Sequence, residues 1–234
     1  MHLAPTSQRY SNDLVYFQDS VERVRTAFAT DRARLEASGF VVEVSVERAG
    51  FARAVVSKAR DATKVDWAHD SAWRFLPPVR HAIAGYVLHP IDLAINKLLA
   101  LVGRDEPRDF LDILFAHQSI LSLGALCWAG AGKDPGFTPP FLLTLLRRRG
   151  RNRPEDMARL RLREQPDLVT LKHDWLAALE QADAFIALRP ASELGCLYYS
   201  KTRREFVSDF TPADPDIVPH YRCPGGSAPS GWSA

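Results

Sequence analysis

The sequence predicts an α+β protein in two parts: a small mixed sheet with one helix, then a helical domain. Three observations carry that expectation. The runs FVVEVSVER and FARAVVSKA alternate with period two around Ala49-Gly50, which is the pattern of a β-hairpin. From Ser20 to Ser38 the residues Val21, Val24, Ala27, Phe28 and Leu35 recur at helical spacing. Beyond FLPPVR the alternation stops, and long apolar stretches of helical period take its place.

In order, RYSNDLVYF has the aromatic and β-branched content of a first strand. Ser20 is suited to cap the helix that follows, and Gly39 to stop it. After the hairpin, ATKVDWA reads as a further strand with Asp66 between Val65 and Trp67. HPIDLAINKLLALVG is an apolar helix with Pro90 and Asp92 at its start and Gly103 at its end. PRDFLDILFAHQSI is the next, with Asp105 or Glu106 as cap and Pro107 in the first turn. Further helices are expected at LSLGALCWAGA, TPPFLLTLLRRRG, PEDMARLRL and DLVTLKHDWLAALEQADAFIALR. The expected divisions are 1–80 for the α/β core, 81–189 for the helical domain and 190–234 for an irregular tail. The Gly/Ser/Pro-rich CPGGSAPSGWSA is expected to be loose.

Composition excludes several classes. The 234 residues are 46% apolar and 25% charged, as in ordinary globular chains, and the net charge of +2 makes no bulk case for nucleic acid. No apolar run approaches the ~20 residues of a membrane span, and MHLAPTSQRYSND lacks the apolar core of a signal peptide. No membrane association is expected. Cys127, Cys196 and Cys223 have no metal-ligand spacing and suggest free thiols in a reducing cytoplasm. The histidines form no HxH or HxxxH pair, and no Gly-x-Ser-x-Gly or Walker loop occurs. The run LLRRRGRNR offers phosphate contacts to RNA or, equally, a solvated cationic helix end.

Two clusters remain as carriers of chemistry. Lys97 lies in a helix apolar nearly all round, where a lysine must snorkel, pair or hold an anion. Arg104 and Arg108 flank the following turn, with Asp109 and Asp112 one helical turn apart. Guanidinium forks there suit phosphate, and helix ion pairs account for the same residues.

The segment DLAINKLLALVGRDEPRDFLDI resembles the helical signature of the AbiEii/AbiGii-type nucleotidyltransferases. Lys97, Arg104, Arg108-Asp109 and Asp112 match its lysine, arginine, Arg-Asp pair and later aspartate in order and spacing. The likeness extends from about Gln8 to about Phe185. RYSNDLVYF and KVDWA take the places of acid-bearing strands in a polymerase-β-like nucleotidyltransferase palm. The resemblance implies transfer of a nucleotide from an NTP to an RNA (such as tRNA) or protein acceptor, with Mg²⁺ held by carboxylates. It further implies a bacterial toxin paired with an antitoxin protein, in the cytoplasm. Asp13 and Asp66 would hold metal. Lys97 would act on the phosphates, with Arg104, Arg108, Asp109 and Asp112 in the nucleotide site.

Two departures accompany the likeness. The family pairs its first acid with a second at position 15, where this chain has Val15. The Gly-Gly or Gly-Ser element that precedes those acids has no counterpart in HLAPTSQRY, so an N-terminally shortened core is expected. A catalytically inactive relative that binds nucleotide, RNA or a partner protein is the alternative these departures suggest.

Overall fold

The computed structural model describes residues 13–160 and 162–232. The expected start of the first strand at Arg9, and the segment where a Gly-rich element would fall, lie outside the described residues. Among the described residues there are seven α-helices and several small sheets, an α+β composition. The chain divides into two units, one covering 13–72 and one beginning at Trp73.

The first unit runs β1 (Asp13–Gln18), α1 (Val21–Ala37), β2 (Val41–Arg48), β3 (Phe51–Lys58) and β4 (Asp61–His69). Ser20 caps α1 by accepting the Arg23 N–H. Gly50, at φ +73°, makes the tight β2–β3 turn that few other residues could. The sheet order is β1-β4-β3-β2, with β1 parallel to β4 and the other pairs antiparallel. Alternation gives this sheet two unlike faces. Ala52, Ala54, Val56, Val65 and Trp67 are buried with Val24 and Phe28 of α1. The Phe28 and Trp67 rings meet edge to face at 5.0 Å, and the Trp67 indole N–H donates to Asp31. The opposite face carries the acids.

The second unit begins with β5 (Trp73–Arg74), β6 (Val79–His81) and β7 (Gly85–Val87). Six helices follow: α2 (Pro90–Arg104), α3 (Pro107–Ser119), α4 (Leu123–Lys133), α5 (Pro139–Leu146), α6 (Pro154–Ala158) and α7 (Leu168–Ala187). Their apolar stripes share one core that includes Ile95, Leu98, Leu101, Ile113, Leu126 and Leu142. Each such side chain contributes about 2 kcal/mol by burial. No single helix among the described residues is long and apolar enough to cross a membrane.

Two expectations need correction. Gly103 does not end α2; the helix continues to Arg104 and stops at Asp105, whose left-handed backbone (φ +49°) lets its N–H reach Leu101 O. Nor is the chain irregular throughout from Pro190. A three-stranded sheet forms from β8 (Leu197–Ser200), β9 (Glu205–Phe206) and β10 (Ile217–His220), and β11 (Cys223–Pro224) pairs with β5. Tertiary contacts override the loop-like composition here. The Phe75 N–H donates to the buried Asp92, while the Phe75 carbonyl bonds the His220 ring and accepts the Ser227 N–H. Gly226, at φ +77°, lies so close to Leu76 that an added Cβ would sit 2.3 Å from its carbonyl carbon. The Trp232 ring packs on His89 and Phe206.

Candidate functional site

The sequence-derived candidates fall into two groups, one in each unit. In the first, β1 and β4 run parallel in register, so Asp13 lies beside Lys64 and Val15 beside Asp66. Antiparallel pairing of β3 with β4 puts Arg53 directly opposite Asp66. Neighbours in register share a face, so Asp13, Val15, Lys64, Asp66 and Arg53 stand together on the side away from α1. Phe17 and Val55 join them, and Val15, Phe17 and Val55 are all substantially exposed.

Asp13 and Asp66 each have a cationic partner. Arg53 grips Asp66 as a fork, Nε to Oδ1 and Nη2 to Oδ2, both at 2.8 Å. Such bidentate pairing is the strongest common form of the interaction. Lys64 Nζ donates to Asp13 at 2.9 Å. The Arg53 guanidinium also lies 5.3 Å from the Phe51 ring centre, a cation–π contact. Sequence reading missed Arg53 and Lys64. The signal was present in the two-residue turn at Ala59-Arg60, which sets the β3–β4 register.

In the second unit, α2 and α3 are joined by Asp105 and Glu106 alone, which brings the end of one helix to the start of the next. Asp109 is fully buried in the first turn of α3, where the helix dipole favours an anion. Arg104 donates to both its oxygens, at 2.6 and 3.0 Å. Lys97 Nζ lies 3.0 Å from Asp109 and 2.9 Å from Asp112. Burial alone would raise the Asp109 pKa, but Arg104 and Lys97 outweigh it and hold the carboxyl below the usual carboxylate range. Of the three fates open to Lys97, pairing is the one realised. Arg104 remains about half exposed at its side chain (47%), and Arg108 follows half-buried in the first turn of α3.

Two arginines of the run after α5 are engaged within the fold. Arg147 pairs with Asp183, while Arg149 donates to the Val102 carbonyl and lies 3.4 Å from Asp105. The cysteines are free thiols, and burial pushes Cys196 up to about 11, away from nucleophilic reactivity.

Asp13 and Asp66 are the carboxylates to which the resemblance assigns Mg²⁺. Asp13 and Asp66 offer the hard oxygens that Mg²⁺ prefers, but Val15, between them on the same face, offers no ligand atom. Among the described residues no group of three or more His, Cys, Asp or Glu side chains could share a metal. Two carboxylates suit one Mg²⁺ whose shell is completed by phosphate and water. They do not suit a two-ion centre.

A family model described as nucleotidyl transferase AbiEii toxin, type IV TA system, matches residues 1–191. No curated protein and no solved structure matches the chain.

Proposed function

Since the chain belongs to the AbiEii family of nucleotidyl transferase toxins of type IV toxin–antitoxin systems, we propose that it binds an NTP and passes its nucleotide to an RNA or protein hydroxyl. In this reading the unit of β1–β4 and α1 is a polymerase-β-like palm. The protein works in the bacterial cytoplasm, with an antitoxin protein as its partner. The observation that carries the reading is the placement of Asp13 and Asp66 on one face of adjacent parallel strands, within a chain of this family.

The roles follow from the chemistry of each group. Asp13 and Asp66 would hold one Mg²⁺, which when bound neutralises phosphate charge and acidifies an acceptor hydroxyl. Arg104, held by Asp109 and half exposed, offers a pre-oriented guanidinium to a phosphate. Arg108 supplies a second cation on the same turn. Lys97 stands in the same charge cluster, where Asp109 and Asp112 fix its ammonium.

Val15 supports a second reading, in which the chain binds nucleotide and transfers none. Loss of one ligand position from a metal centre lowers the rate before it abolishes binding. Calorimetry with Mg²⁺ and each NTP, alongside transfer of labelled nucleotide to RNA and protein, separates the two. Transfer that disappears in Asp66→Ala supports the transferase. Binding with no transfer supports the second reading, and transfer retained in Asp66→Ala sinks the assignment of the acids.

A further inference from the structure

The fork between Arg53 and Asp66 bears on the metal assignment in a way the family likeness does not address. Both Asp66 oxygens face donors of one guanidinium at 2.8 Å, and the carboxylate side chain is only 11% exposed. The fork takes one lone pair on each oxygen and sets a positive charge beside both. A divalent ion could reach only the remaining lone pairs, and only against that charge, so the fork opposes metal binding.

Arg53 is held in that position by the fold. The Ala59-Arg60 turn pairs Lys58 with Asp61, and the same register carries Arg53 opposite Asp66 without a bulge between them. Yet Arg53 has somewhere else to go. Its side chain is 38% exposed, and the Phe51 ring beneath it is already a cation–π platform that Arg48 shares at 5.4 Å. Swinging off Asp66 would leave the guanidinium in water and on Phe51, with no buried orphan charge. Asp13 is balanced in the same way, with Lys64 Nζ on Oδ2. Asp13 and Asp66 are thus each balanced by a cation of the chain's own.

We infer that Arg53 is an internal competitor for the metal site: it occupies Asp66 in the metal-free protein and weakens the binding of a divalent cation there for as long as the fork is closed. The inference rests on the Mg²⁺ role proposed above for Asp13 and Asp66. Arg53 is on this account a positioning residue that sets metal affinity, and the metal-free face is kept closed by a fork the chain supplies itself.

The test is titration calorimetry of the full chain with MgCl₂, and separately MnCl₂, without nucleotide. Arg53→Gln keeps a neutral hydrogen bond to Asp66 but removes the charge and the fork. It should bind the ion about tenfold more tightly than the wild type. Arg53→Lys retains the charge without the fork and guards against a folding defect; it should tighten binding by about threefold. The double variant Arg53→Gln/Asp66→Asn should lose the gain. Equal affinity in the wild type and both single variants overturns the inference, as does a gain that survives Asp66→Asn. Labelled-nucleotide transfer, measured in parallel, keeps the two claims apart. Tighter binding in a protein that transfers nothing upholds the competitor and sinks the transferase. Transfer with no tightening in either variant does the reverse.

Discussion

At the scale of single residues, Asp109 organises the helical cluster. It has no access to water and serves two cations, so its removal leaves Lys97 to Asp112 alone and takes from half-exposed Arg104 its bidentate partner. Asp109→Ala should lower stability by about 2 kcal/mol, less than for a wholly buried pair because Arg104 can turn to solvent. Urea denaturation measures it. Asp109 also sets an acid limit. Its folded pKa lies below the unfolded value of about 4, so its contribution is complete above that pH and is lost as pH falls further. The difference between the wild type and Asp109→Ala should therefore shrink below pH ~4. At Val15 the expectation runs the other way. Val15→Asp would set a second carboxylate beside Asp66, destabilising the metal-free protein and strengthening Mg²⁺ binding. A melting temperature lower than wild type without Mg²⁺, and raised by Mg²⁺, is the expected pair of results. The spacing of Lys97, Arg104, Asp109 and Asp112 was readable because all four lie on two consecutive helices, where sequence distance sets spatial distance. Arg53 was not readable that way. Its partner lies across a hairpin, and only strand register reveals it.

At the scale of elements, helix caps and periodicities in the sequence anticipated α1 through α7 to within a few residues. Their signals are local: Ser20, Ser122, Thr138 and Asp167 each accept a first-turn N–H. The short strands after Ala72 and after Gly195 went unread. They are two to four residues long, and some are held by partners far away in the chain, as with β11 on β5. The start of α2 has an unusual cap, in which His89 Nδ1 accepts the Ile91 N–H at 3.2 Å. Burial lowers this histidine to about 4, and protonated Nδ1 could no longer accept that bond. The unfolded chain takes up the proton near pH 6.5, so stability should fall as pH drops from about 6.5 to about 4. His89→Asn preserves a capping oxygen and should flatten that part of the profile, as followed by thermal melts across pH.

At the scale of the whole molecule, the apolar residues divide into two cores with no member in common. The smaller rests on Trp67, Phe28 and a handful of aliphatic side chains, and the larger on the six-helix assembly. The smaller core should give way first in denaturant, since small cores bury proportionally less surface. Two transitions are expected by tryptophan fluorescence, with replacement of Trp67 removing the signal of the earlier one.

The clasp around Phe75 has a further meaning for how this protein would be lost. Asp92, His220 and Ser227 hold one backbone unit from three distant places, and Gly226 lies flush against its neighbour Leu76. Cleavage before Trp232 would release its ring from His89. Cleavage before Cys223 would also free the Ser227 amide and β11, exposing apolar surface around Phe75. A cut within 223–232 would thus open the core of the second unit, whereas the intact segment closes it.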